Sequence, residues 1–143
     1  MTCVVDASVA VTWFVAEEPH GAAATRLVES GEALISPELL IAETCNAGWR
    51  LWRLERISRA QLELIAATLS RYFAELAPLA PLASGAAAIA AALNHPVYDC
   101  FYLALAEARQ CPLVTADRRL LARLRGSPWA ARAWHLADRR PRP

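Results

Sequence analysis

The chain has 143 residues, 56% of them hydrophobic, and a mean hydropathy of +0.23; that is about one domain with one core, and it excludes the low-hydrophobicity regime of disordered chains. The formal net charge of +1 hides seven Arg against thirteen Asp and Glu over residues 1–117, and eight Arg against Asp138 alone beyond them, so an acidic body precedes a basic end that either attracts phosphates or is simply solvated. All fifteen basic residues are Arg, which excludes lysine-dependent chemistry such as Schiff-base formation or a P-loop.

Cys3-Val4-Val5 is a short apolar run ending at Asp6, and it predicts a buried first strand that delivers a carboxylate at its C-terminal end. The run lacks the basic flank of a signal peptide. A helix is expected from Ala7 to about Val15; Glu17-Glu18-Pro19 opens a second that runs through Glu29 and stops at Gly31. Ala33 to Ser36 reads as a second strand, and Pro37 starts a long helix to about Leu54 that contains Glu43. Ser58 caps a helix from Arg59 to Phe73, where Leu62, Ile65, Ala66 and Leu69 recur at helical spacing. A short third strand is expected around Leu76 to Leu79, then an Ala-rich helix from about Leu82 to Leu93. The uncharged stretch from Leu76 to Asn94 approaches membrane-spanning length, but Pro78, Pro81 and Gly85 break it and much of the rest is Ala, so no span is expected.

His95-Pro96 breaks the chain before a helix from about Tyr98 to Arg109 that carries Asp99 in its first turn. Leu113-Val114-Thr115 is a short strand, Asp117 begins the next helix, and a last strand is expected near Ala133 to Leu136. Strands alternating with helices imply an α/β fold with a parallel sheet covered on both faces. Residues 1–138 form one expected domain, with 139–143 a basic, proline-containing tail. Cys3, Cys45, Cys100 and Cys111 lack a C-x-x-C spacing and sit among apolar residues, so reduced cysteines and a cytoplasmic setting are expected.

Asp6 and Asp117 both follow apolar runs that read as strands, and in an open parallel sheet the ligand crevice lies beyond the carboxyl ends of the strands. Each Asp, like Asp99, also stands at or near a helix start, where capping alone explains it. Glu43 inside a helix would ordinarily face solvent. Spacing alone does not bring Glu43 and Asp99 to the crevice.

The sequences around these acids add to the case. Pro96-Val-Tyr-Asp99-Cys-Phe-Tyr-Leu-Ala-Leu-Ala-Glu107, followed by Leu113-Val-Thr-Ala-Asp117, resembles PIN domains, particularly the VapC-type toxins of bacterial toxin–antitoxin pairs. Val4-Val-Asp6-Ala-Ser8-Val is similar to their first motif, and Glu43-Thr-Cys-Asn46 to their second. The resemblance covers nearly the whole chain. It implies a three-layer α/β/α sandwich on a central parallel sheet, with residues 1–138 as a single PIN domain. It also implies Mg²⁺ or Mn²⁺ held chiefly by Asp6 and Asp99, with Glu43 and Asp117 completing the pocket and Ser8, Asn46 and Thr115 supporting it. The implied activity is endonucleolytic hydrolysis of RNA by a metal-activated water, restrained by a small antitoxin protein.

The residue types suit that chemistry, because hard divalent cations prefer carboxylate and water oxygens. Two carboxylates about 5 Å apart repel by about 3 kcal/mol at an effective dielectric near 20, so four gathered acids need a cation or must raise their own pKa values. An arginine from an antitoxin would serve the same purpose. At 100° per residue, Asn46, Arg50 and Arg53 fall on the same side of their helix as Glu43, which makes Arg50 and Arg53 candidate RNA contacts. Arg118, Arg119 and Arg123 follow Asp117 and are candidates for phosphate. Trp49 and Trp52 read as packing or interface residues and suggest a homodimer. His20, His95 and His135 lack metal-ligand spacing, and His95 reads as a turn residue.

A phosphoacceptor receiver domain would need a lysine, which is absent. A haloacid-dehalogenase-type phosphatase would need an aspartate where Ser8 stands. The remaining competitor is a PIN-like RNA-binding or assembly module with marginal nuclease activity.

Overall fold

The computed structural model describes residues 1–15 and 20–138. It contains a five-stranded, all-parallel sheet in the order β3-β2-β1-β4-β5, built from β1 (Thr2–Val5), β2 (Ala33–Pro37), β3 (Glu75–Ala77), β4 (Leu113–Thr115) and β5 (Ala133–His135). From β1 the chain steps outward through β2 to β3, then crosses to the other side of β1 for β4 and β5. The reversal of strand order therefore lies between β1 and β4, where an open parallel sheet leaves a crevice at its carboxyl edge.

The period-two alternation of the strands builds two cores. Val4, Ile35 and Leu113 point to one face and pack with Tyr102, Leu103 and Leu105 of α6 (Val97–Arg109), Leu120 and Leu124 of α7 (Arg118–Leu124), and Ala86 and Ile89 of α5 (Ala83–Leu93). Cys3, Val5, Leu34 and Val114 point to the other, against Ala24 and Leu27 of α2 (Gly21–Glu29) and Val9 of α1 (Ala7–Ala10). Burying each large aliphatic side chain contributes roughly 1.5–3 kcal/mol, so helices on both faces are what make this sheet stable. The result is the expected three-layer α/β/α arrangement.

The remaining helices are α3 (Leu39–Arg53) and α4 (Arg59–Thr68), which pack together. Gly48 of α3 permits that approach, since a Cβ there would lie 3.0 Å from Ile65 Cδ1 and 3.1 Å from Leu62 Cδ1. Ser58 caps α4 through a reciprocal box with Gln61.

Several boundaries differ from the sequence expectation for identifiable reasons. The helix after Asp6 has only one α-turn and continues as a 3-10 turn at Val11–Trp13, where the Thr12 hydroxyl donates to the Val9 carbonyl at 2.6 Å. Pro37 belongs to β2 rather than opening α3, because its register partner is Ala77 and the Glu38 N–H donates to the Ala77 carbonyl at 2.9 Å. The expected helix to Phe73 is α-helical only to Thr68 and then tightens to a 3-10 turn at Leu69–Tyr72. The expected opening of α2 at Glu17-Glu18-Pro19 and the 139–143 tail lie outside the described residues.

Candidate active site

The crevice between β1 and β4 is where Asp6 emerges. Asp6 is 5% exposed and is the N-cap of α1. Its Oδ1 accepts from the Ser8 hydroxyl at 2.5 Å and the Val9 N–H at 3.3 Å, and its Oδ2 accepts from the Thr115 hydroxyl. The Ser8 hydroxyl also accepts from the Ala116 N–H at 2.9 Å, and Thr115 Oγ1 accepts from the Asp117 N–H at 3.0 Å. Two hydroxyls thus stitch the ends of β1 and β4 around one buried carboxylate. Ser36 fixes the edge next door by donating its hydroxyl to the Val5 carbonyl at 2.8 Å.

None of these donors carries a positive charge. Burial pushes the Asp6 carboxyl up to about 6, against the pull of Ser8, Thr115 and the Val9 N–H, and the negative charge of Asp99 adds to the rise.

Glu43 sits half-buried on α3 and accepts a 2.6 Å hydrogen bond at Oε1 from the Tyr102 hydroxyl. Burial again raises its carboxyl; Tyr102 opposes that and the Asp99 charge reinforces it. Tyr102 is 1% exposed, and burial followed by the Glu43 charge drives its phenol far above the ordinary range, so it remains a donor. The charges of Asp6 and Asp99 act on it as well.

Asp99 stands in the first turn of α6, with Oδ2 2.7 Å from His95 Nε2. The left-handed Asn94, φ 48°, ends α5, and Pro96 then opens α6, which leaves His95 one helical turn before Asp99. His95 is therefore more than a turn residue, because it is the polar partner that orients Asp99. Tyr102, three residues after Asp99 on the same helix, was likewise not singled out from sequence. Both lie at i,i±3 or i±4 from Asp99, and that spacing is the signal that could have found them.

Asp117 caps α7, its Oδ1 accepting from the N–H groups of Arg119 at 2.9 Å and Leu120 at 3.1 Å, while its own N–H donates to the Thr115 hydroxyl that holds Asp6. Among the described residues no three His, Cys, Asp or Glu side chains are drawn up closely enough to hold a metal ion. The donor types still suit a hard cation, being oxygen throughout, and no ion pair engages Asp6 or Glu43 among the described residues.

Of the candidate arginines, Arg50 lines a cleft with Ser8, His20 and Ala116. Arg53 lies over the Trp49 ring, 5.2 Å from its centroid, and Asn46, Arg118 and Arg119 are exposed. Arg123 is occupied otherwise, since its Nη2 donates to the carbonyls of Leu93 at 2.7 Å and Asn94 at 2.8 Å and closes the C-terminal end of α5. Trp49 and Trp52 are 42% and 40% exposed, so the fold's core does not absorb them.

Residues 3–126 match the family model described as the PIN domain. Among solved structures, the chain is similar to the crystal structure of PAE2754 from Pyrobaculum aerophilum, with 27% identity and a TM-score of 0.66 over 96% of this chain and 93% of that one. No curated protein matches the chain.

Proposed function

The chain belongs to the PIN-domain family, whose members are generally nucleases, and from that premise we propose that it is a divalent-metal-dependent endoribonuclease and the toxin of a toxin–antitoxin pair. The observation that carries the reading is the trio of Asp6, Glu43 and Asp99, in which burial first and the Asp99 charge after it raise the other two carboxyls, and neither of those has a cationic partner among the described residues. Such a group is an electrostatic deficit that a cation relieves. Asp6 and Asp99 are the principal ligands in this reading, with Glu43 and Asp117 completing the set for Mg²⁺ or Mn²⁺.

When bound, such an ion supplies an acidified water and stabilises charge on the phosphoryl group. The protein's own contribution is positioning. Ser8 and Thr115 hold Asp6, Tyr102 holds Glu43, and His95 holds Asp99. Arg50, Arg53, Arg118 and Arg119 are available to the RNA backbone, and Asn46 lies on the exposed side of α3.

The exposed Trp49 and Trp52 support a homodimer, and a small antitoxin would quiet the enzyme by placing an arginine against the acids. The competing reading, an RNA-binding or assembly module with marginal activity, draws on the engagement of Asp117 in capping α7.

Incubation of total RNA with the protein and Mn²⁺ or Mg²⁺, beside a chelator control, separates the two. Cleavage that disappears in chelator and in Asp6→Asn and Asp99→Asn supports the nuclease. Cleavage by either pure variant at the wild-type rate refutes the assignment. Light scattering reads the dimer, and co-expression with a neighbouring small DNA-binding protein tests the antitoxin by loss of cleavage.

A further inference from the structure

We propose, resting on the nuclease reading above, that the cleft between α3 and the start of α2 is a nucleotide subsite in which one base of the RNA stacks on His20 while Arg50 takes the adjoining phosphate. The cleft has a volume of about 440 Å³, which lies within the range of small-ligand sites. It neighbours Asp6, because Ser8 is part of its wall and donates to that carboxylate. Val11, Ala47 and Leu51 supply much of its lining, and among the described residues no acidic side chain contributes to it.

Two side chains give this cleft a direction. Arg50 is exposed and has no ion pair among the described residues, so its guanidinium is available to an anion. His20 is braced by an edge-to-face contact with His135, at 5.1 Å between centroids and 73° between planes. His135 is itself 3% exposed and accepts from the Ala137 N–H at 3.1 Å through Nδ1, so the brace is fixed from behind. An aromatic ring and a guanidinium lining one cleft is the pairing by which proteins hold single-stranded nucleic acid. Its position next to Asp6 places the bound nucleotide beside the bond to be cut.

The test is fluorescence anisotropy with a short labelled oligoribonucleotide in chelator, so that binding is read without cleavage, on the full chain and its His20→Ala, His20→Phe and Arg50→Ala variants. His20→Ala should weaken binding about fivefold or more, as loss of one stacked base does, and leave the salt dependence unchanged. His20→Phe should restore the affinity, because the aromatic face is what matters. Arg50→Ala should weaken binding and reduce the slope of log affinity against log salt by about 0.7, the contribution of one phosphate contact. Wild-type affinity in His20→Ala overturns the subsite, and so does equal weakness of His20→Ala and His20→Phe when both melt as the wild type does. RNA cleavage by the wild type with unaltered binding by His20→Ala removes the subsite and leaves the nuclease standing. The expected binding losses without cleavage by any form do the reverse.

Discussion

Replacing Asp6 with Asn should change how the metal-free protein responds to pH. The Asp6 carboxyl moves from 3.8 unfolded to about 6 in the folded chain, mainly through burial. A rise of that size corresponds to about 3 kcal/mol, at 1.36 kcal/mol per unit. Because the folded pKa is the higher one, this stability is fully present below pH 3.8 and is lost as pH rises through about 6. Unfolding of a chain this long carries an entropy of roughly 0.3 kcal/mol/K, so the loss is equivalent to a fall of about 10 °C in melting temperature. Asn cannot ionise. Its amide must donate to Ser8 or Thr115 where the carboxylate accepted, and the hydroxyls can turn to accept it at a pH-independent cost of about 1 kcal/mol. Subtracting the two melting curves in chelator between pH 4 and 7 cancels most other titrations. Asp6→Asn should gain on the wild type between pH 4 and about 6, level off above that, and melt higher at pH 7. A constant difference would refute the claim that burial, uncompensated by a cation, sets the energy of this carboxylate.

Divalent cations should reverse the deficit: a ligand bound only by the folded state adds about 2.7 kcal/mol at a hundredfold excess over its Kd, so Mn²⁺ should raise the wild-type melting temperature at pH 7 and leave the Asp6→Asn, Asp99→Asn double variant unmoved. His95→Ala should lower kcat about tenfold with little change in KM, because it loosens Asp99 without touching RNA, and His95→Gln, which keeps a donor, should recover part of the loss. Tyr102→Phe should raise the Glu43 carboxyl further by removing its opposing hydrogen bond and cost about 1–2 kcal/mol in urea denaturation.

The fold was legible in the sequence because it is written in local patterns. Val4, Val5, Leu113 and Val114 announce buried strands by composition, Ser58 announces a helix start, and alternation of strand with helix forces the parallel sheet. Where the reading shifted, a tertiary partner decided. Pro37 looked like a helix opener and became a strand end, because Ala77 lies opposite it in β3. Asp6 at a strand end was legible for the same local reason. The charge coupling of Glu43 to Asp99 was not, since it depends on the tertiary approach of α3 to α6 that brings Tyr102 onto Glu43. Arg123 shows the opposite failure: its place after Asp117 suggested phosphate, yet the carbonyls it binds belong to a helix end 29 and 30 residues earlier in the chain.

The hydroxyls around Asp6 explain how such a site survives folding. A buried carboxylate with no partner would protonate or unfold its surroundings, whereas a fully compensated one would have no use for a cation. Ser8, Thr115 and the Val9 N–H lie between those limits, since they supply hydrogen bonds without charge. They fix the position of the oxygens and lower the carboxyl part of the way, and the remainder stays as a driving force for binding a positive group. A cationic side chain of this chain held against Asp6 would satisfy it permanently, so the neutrality of Ser8 and Thr115 is what keeps the site open to an external cation.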